Sequence, residues 1–473
     1  MNIGIINIRN QNRKETISLL LYQCRDVVMI KMKVNFNNIT GIIKPMHAVN
    51  NGPVGSMTET HQVKSNFTTY KAAKIPYARN HDASFCSDYG GEHTVDVHMI
   101  FPDFTKNPYN PESYDFTATD DYLKRINDVG TEVFYRLGTK IEHQRKKYGS
   151  IVPADFKKWA VIAEHIIRHY TSGWADGFNY TITYWEIWNE PDGVRNDGDR
   201  PNWSGTPEEY YEFYDVVARH LKERFPHLKI GGPALSWVDN IEWFDNFMKY
   251  LTRSSDRTPL DFFSWHAYPQ DTNAIIKDGT IVRQKLDEYG YTDTENILNE
   301  WNYLEGWTDK FVASIEGIIS MRGAAFTSAV MARSQKSSID MLMYYDARPC
   351  GFNGMFDYYT LRPLKGYYPF LMFSKLYELK NEVESSSDDG DLYIAAAKDE
   401  NKKAMMITYY SLDKNAPDKN VEITGINNGE WYCYYLDADR TLEKEVLTVE
   451  NGYAALNMPK ECVVFITNTE DML

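Results

Sequence analysis

TYWEIWNE (183–190), TPEEYYEFYDVVARHLKERFP (206–226) and KIGGPA (229–234) read in order as strand, helix and strand. The first run is aromatic and β-branched. The second is an amphipathic stretch opened by Thr206 and Pro207, and proline at the first helical position sacrifices no hydrogen bond. The third is a short apolar strand that the helix returns to. The same unit recurs on both sides. Upstream lie IIKPMHAV (42–49), IPYARNH (75–81) and TEVFYRLG (131–138), and downstream DFFSWHAY (261–268), NILNEW (296–301) and DMLMYYDA (340–347). Helix-like segments separate them: DYLKRINDVG closed by Gly130, DFKKWAVIAEHIIRHYTSG, IEWFDNFMKYLTR, and a stretch from Asp309 to about Arg333. Eight strand–helix units in succession predict an α/β fold of the (β/α)8 TIM-barrel type. An open doubly wound sheet would show a glycine-rich phosphate turn after its first strand, and none is present.

GYYPFLMFSKLYELK (366–380) reads as the last barrel helix, and SSSDDG (385–390) as a polar turn or linker. Beyond it LYIAAAKD, KAMMITYYS, VEITG, EWYCYYLD, GYAALNM and ECVVFITN alternate with turns such as NNGE and ENGY, which predicts a small accessory β-sandwich. The expected organisation is residues 1–40 as an N-terminal segment able to add a strand to that sandwich, 41–380 as the barrel and 381–473 as the sandwich.

The chain has 473 residues and a formal net charge of −15, a balance that disfavours phosphate backbones and so nucleic-acid partners. Cys24, Cys86, Cys350, Cys433 and Cys462 are odd in number and scattered, which suits neither a zinc knuckle nor a disulfide framework. No apolar run reaches the roughly 20 residues that a membrane helix needs, so no membrane partner is expected. ISLLLYQC (17–24) imitates a signal segment, but its apolar core is short and no small-residue cleavage site follows. Met32 opens a second reading frame start, MKVNFNNITG, and the expected location is cytoplasmic. Aromatic residues make up 14%, a hint of ring stacking on sugars that core packing rivals.

In a barrel enzyme the chemistry sits at the C-terminal strand ends. Two glutamates occupy such ends: Glu190, on the fourth strand and followed by Pro191-Asp192, and Glu300, on the seventh and followed by Trp301-Asn302. A carboxyl pair about 5–5.5 Å apart hydrolyses glycosides with retention, one group protonating the leaving oxygen while the other attacks the anomeric carbon. His266 and Tyr268 share one face of the sixth strand, and Arg79 and His81 one face of the second. For the histidines the rival reading is a satisfied core residue, and for Arg79 an ion pair with a barrel glutamate such as Glu186. Trp188, Trp301 and Trp307 are candidate sugar-stacking rings with packing as the equal rival. Asp346 and Arg348, after the eighth strand, are candidate substrate contacts.

The run EIWNEPD (186–192) resembles the active-site segment of glycoside hydrolase family 39, in the retaining clan A, which includes β-xylosidases and α-L-iduronidases. The resemblance implies Glu190 as general acid/base, Glu300 as nucleophile and Asn189 as donor to the sugar 2-hydroxyl. YARNHD (77–82) is similar to the family's Arg-x-His motif, with Asp82 where glycine is common, and DFFSWHAY resembles its sixth-strand segment. Thr183 and Trp185 depart from the family's usual Trp and Phe. The expected function is a retaining glycosidase, exo-acting on β-xylosides or related plant oligosaccharides, with no cofactor and no metal. The alternatives are a non-catalytic carbohydrate-binding protein on the same scaffold, or a glycosidase specific for iduronides or arabinosides. For a uronide, Arg348 and Arg362 are the candidate cations. A cluster of His81, Asp82, Cys86, Asp88, Glu92 and His93 lacks the spacing that imposes metal geometry. The negative charge of Glu300 is expected to raise the pKa of Glu190.

Overall fold

A computed structural model describes residues 29–55, 64–81 and 94–473. Eight parallel strands close into a barrel: Ala48–Asn50, Tyr77–Arg79, Glu132–Leu137, Tyr184–Ile187, Lys229–Leu235, Phe262–Ala267, Glu295–Trp301 and Met341–Tyr344. The ring is completed where Ala48 and Val49 pair with Met343 and Tyr344. The first strand begins later than the sequence suggests, because Ile42 instead ends a long strand of the second sheet. Tyr77–Arg79 is likewise only three residues long. Each strand still feeds a helix that packs outside the ring, from Phe67–Ala72 after the first to Tyr368–Leu379 after the eighth.

Local signals explain the helix ends. Thr206 Oγ1 accepts from the Glu209 amide at 3.2 Å while Glu209 Oε2 accepts from the Thr206 amide at 2.7 Å, a reciprocal cap in front of Pro207. The helix Phe156–Ser172 stops at Gly173, whose φ of 70° lies in the left-handed region that glycine enters freely. Between ring and helices lies an aromatic core in which Trp185, Trp188, Trp203, Trp265 and Trp301 are all fully buried. Most of the chain's aromatic richness is therefore packing.

The second sheet has nine strands, in the order Thr441–Val449, Gly429–Leu436, Cys462–Thr467, Lys403–Tyr409, Leu392–Lys398, Asn381–Ser387, Met29–Ile42, Lys419–Thr424 and Tyr453–Met458. It is antiparallel except between Met29–Ile42 and Lys419–Thr424. It curls over its own apolar core, and the two edge strands meet at a Glu450–Tyr453 bridge, a sandwich-like arrangement. The N-terminal strand thus sits well inside this sheet. Two strands lack the expected pattern. Ser385–Ser387, read as a turn, pair with Met32–Val34, and Thr441–Val449 is a charged edge strand with few buried side chains. In both, hydrogen bonding to a neighbour outweighs a polar composition that on its own signals loop. Residues 1–28, which include the signal-like segment and Cys24, lie outside the described residues. None of the described helices is long and apolar enough to cross a membrane.

Candidate active site

The fourth strand ends in two sharp turns. Trp188 and Glu190 have φ of 76° and 46°, a region that costs non-glycine residues roughly 1–3 kcal/mol and is held only where surroundings dictate it. Here they do: the Trp188 amide donates to the Leu137 carbonyl at 2.6 Å and the Glu190 amide to the Ala234 carbonyl at 3.0 Å, tying the turn to both neighbouring strands. Gly138 makes room, since a Cβ there would lie 3.0 Å from Trp188 Cα. The Trp188 indole packs against Trp159, Trp203 and Phe213 and donates to the Asn202 carbonyl at 2.7 Å. It is an anchor rather than a sugar platform, and it turns Asn189 and Glu190 into a cleft of about 1090 Å³.

Glu300 faces Glu190 from the seventh strand. One carboxylate oxygen of each, together with a ring nitrogen of His266, lie within 4.8 Å of one another. His266 Nδ1 is 2.7 Å from Glu190 Oε1 and Nε2 is 3.7 Å from Glu300 Oε2. Asn202 Nδ2 donates to Glu190 Oε2 at 2.9 Å, and the Tyr268 hydroxyl to Glu300 Oε1 at 2.6 Å. Beneath them Arg79, fully buried, donates to Glu186 (2.7 Å), Asn50 (3.1 Å), Glu300 (3.2 Å) and Asn189 Oδ1 (2.6 Å). His81 Nε2 lies 3.5 Å from Glu300 Oε2. Arg79 therefore makes both the structural pair with Glu186 and the contact with the site. Its position is under the carboxyl pair, so it positions other residues and does not line the cleft.

Burial raises the Glu190 pKa, opposed by His81, Arg79 and the Asn202 hydrogen bond. The leading cause is burial rather than the charge of Glu300 that the sequence led one to expect. Burial also drives His266 down to about 4, so its ring is neutral at neutral pH. Tyr268 is pushed well above its ordinary value by burial and then by Glu300, and it remains a donor.

Two further candidates fall outside the cleft, as Trp188 and Arg79 do. Trp301 follows Glu300 in the pleat and so points the opposite way, into the helix layer, where it is fully buried against Phe326 and Tyr344. It lines no sugar subsite. Asp346 is fully buried, accepting from Asn51 Nδ2 at 3.0 Å and from the Arg348 amide and Nε at 2.6 and 3.1 Å. It organises the eighth-strand loop. The residue before it, Tyr345, is the one that reaches the cleft, edge-on to His81 at 5.6 Å. Trp307 lines the cleft, beside Tyr268. Asn202, Trp237, Tyr345 and Phe352 also line it and were not anticipated. Only Tyr345 carried a signal, its place at the end of a predicted strand.

Among the described residues, Glu190, His266 and Glu300 could gather a cation. An ion there would sit against the Arg79 guanidinium and break the Glu190–His266 contact, so this donor set suits proton transfer better than metal binding. The other suggested cluster cannot be placed: Asp82, Cys86, Asp88, Glu92 and His93 lie outside the described residues, and His81 packs against Glu300 and Tyr345.

The family model for "Glycosyl hydrolases family 39" matches residues 77–288, from the second strand through the helix after the sixth. The match covers less than half of the chain. A β-xylosidase of Geobacillus stearothermophilus is 33% identical over 144 residues, covering 30% of this chain and 25% of the relative. A β-xylosidase of Caldicellulosiruptor saccharolyticus is 30% identical over 169 residues, covering 34% and 32%. The matched stretches thus span a quarter to a third of these relatives' lengths. In overall fold the chain is similar to a glucosidase from Croceicoccus marinus, with a TM-score of 0.76 and 21% identity over 93% of this chain and 98% of that one.

Proposed function

We propose that the protein is a retaining glycosidase of family 39 that releases xylose from β-xylosides, with Glu300 as nucleophile and Glu190 as general acid/base. The observation that carries this reading is the approach of the two carboxylates, whose oxygens come within 4.8 Å. Retaining enzymes hold their carboxyl groups about 5–5.5 Å apart, whereas inverting enzymes leave room for a water at about 6.5–9.5 Å. Glu300 attacks the anomeric carbon while Glu190 gives its proton to the leaving oxygen. Water then attacks the glycosyl ester as Glu190 takes a proton back.

The surrounding groups fit these roles. With Glu190 protonated and His266 neutral, the carboxyl hydrogen is donated to His266 Nδ1, and the ring hydrogen on Nε2 faces the Glu300 carboxylate. Arg79 occupies Asn189 Oδ1, which leaves the amide NH2 as the end that can donate to a sugar hydroxyl. The Arg348 charge is paired with Asp346, which favours a neutral pentose over a uronate. The two β-xylosidase relatives support the same substrate class.

The test is hydrolysis of an aryl β-xyloside followed by NMR of the first sugar released. β-Xylose as the initial product, with loss of turnover in Glu300→Ala and Glu190→Ala, is expected. Initial α-xylose, or full activity in either variant, refutes the assignment. Binding of xylosides without turnover, on a panel that also includes arabinosides and iduronides, would favour the non-catalytic alternative.

A further inference from the structure

Arg322 sits in the first turn of the helix Met321–Gln335, between the seventh and eighth strands, and is buried where that helix meets the second sheet. Two groups of the sheet fix its Nη1: the Glu461 carboxylate at 2.8 Å and the Ser411 carbonyl at 3.1 Å. The rest of the guanidinium holds two buried tyrosines. Nε donates to the Tyr303 hydroxyl at 2.9 Å and Nη2 to the Tyr410 hydroxyl at 3.4 Å, with the ring centroids 5.6 and 5.0 Å from its charge.

Each tyrosine leads to a loop that carries a site residue. Tyr303 stands three residues past Glu300. Tyr410 follows the strand Lys403–Tyr409 of the second sheet, and its hydroxyl donates to the Gln270 carbonyl at 2.6 Å, two residues past Tyr268. Pro269 lies between them with its φ fixed by the ring, so a displacement of Gln270 has few torsions in which to be absorbed before it reaches Tyr268. The Pro269 carbonyl accepts in turn from the Leu304 amide at 3.3 Å, which joins the two loops. The path from sheet to nucleophile is short: Tyr410 holds Gln270, and the Tyr268 hydroxyl donates to Glu300 Oε1 at 2.6 Å. Packing alone does not call for the Tyr410 hydroxyl, since a phenylalanine ring would meet Phe326 equally well.

Resting on the retaining reading above, we propose that Tyr410 and Arg322 are positioning residues for the nucleophile: through Gln270 the second sheet sets the place of the Tyr268 hydroxyl, and so the aim of Glu300. Reacting groups tolerate only small misplacement, and a loop at a barrel mouth keeps such limits when a second layer of contacts anchors it. The sheet thereby acts on the site although none of its described residues lines the cleft.

The experiment follows release of dinitrophenolate as a dinitrophenyl 2-deoxy-2-fluoro-β-xyloside traps the glycosyl-enzyme. This leaving group needs no proton, so the rate reads the attack by Glu300. Tyr410→Phe should lower the maximal trapping rate about three- to tenfold, the loss of one buried hydrogen bond, with the half-saturating concentration unchanged. Ser328→Ala is the comparison, because the Ser328 hydroxyl meets that of Thr408 at 2.5 Å in the same helix–sheet contact, apart from the Arg322 network. It should lower the thermal midpoint about as much as Tyr410→Phe and leave the trapping rate unchanged. In a Tyr268→Phe background, where the hydroxyl being positioned is gone, Tyr410→Phe should slow trapping by less than about twofold further. The same factor in both backgrounds, a wild-type rate in Tyr410→Phe, or equal slowing by Ser328→Ala overturns the positioning role. A wild type that forms no glycosyl-enzyme refutes the retaining reading instead, and the positioning role with it.

Discussion

Replacing Arg79 by methionine separates the two tasks that its side chain performs. The guanidinium is fully buried, and so is its closest acid, Glu186, at 2.7 Å. Burial works against the Arg79 charge, but Glu186 and then Glu300 outweigh it and hold its pKa above the ordinary value. Removing the cation strands the Glu186 carboxylate, whose other contacts, from the Ser264 hydroxyl and the Asn299 amide, are neutral. Breaking a buried pair by deleting one partner costs about 3–5 kcal/mol. At about 2 °C per kcal/mol, the lower end for large domains, the thermal midpoint should fall by about 6–10 °C. Catalysis loses two further bonds, to Glu300 at 3.2 Å and Asn189 at 2.6 Å. Hydrogen bonds to charged groups contribute about 1.5–3 kcal/mol, so kcat/KM should drop by roughly 100-fold or more. The double variant Arg79→Met, Glu186→Gln removes the stranded charge while a glutamine oxygen still accepts from Ser264 and Asn299. It should regain most of the lost midpoint in calorimetry yet stay as inactive as the single variant. A single variant as stable as the wild type, or a double variant that recovers activity with stability, would refute this division of labour.

Three other substitutions probe the site. Glu190 must be protonated to act as an acid, so activity falls as pH rises through its pKa. Asn202→Ala removes a hydrogen bond that lowers that pKa, and the alkaline limb of the kcat/KM–pH profile should move upward; a downward shift contradicts the assignment. Tyr268→Phe deletes the 2.6 Å hydroxyl contact to Glu300 and should reduce kcat/KM about 10- to 150-fold with little change in thermal midpoint. Trp301→Ala should lower stability by about 3–5 kcal/mol through a core cavity while leaving the KM of the surviving folded enzyme nearly unchanged; a raised KM at unchanged midpoint would return Trp301 to the cleft.

The barrel was legible because each unit carries its own punctuation, as Thr206, Pro207 and Glu209 do for one helix and Gly173 for another. The strands at positions 48–50 and 77–79 were legible only as apolar runs, since three residues leave too little pattern to mark their ends. Polar strands were lost altogether: Asn381–Ser387 is a strand because Met29–Ile42 lies beside it, a fact that its own residues do not encode. The same distinction governs the site. Glu190, His266, Tyr268 and Glu300 sit at or just beyond strand ends, where alternation of faces decides who looks into the cleft. Applied strictly, that alternation also excludes Trp301 once Glu300 is assigned inward. Loop residues obey no such period. Trp237 reaches the cleft because Ser236 bonds to Asp192, a partner 44 positions earlier, and Asn202 meets Glu190 across a 12-residue loop. Much of the cleft lining belongs to this second class, so two chains with the same strand-end carboxylates can differ in the shape of the cleft around them while their strand-end motifs read alike.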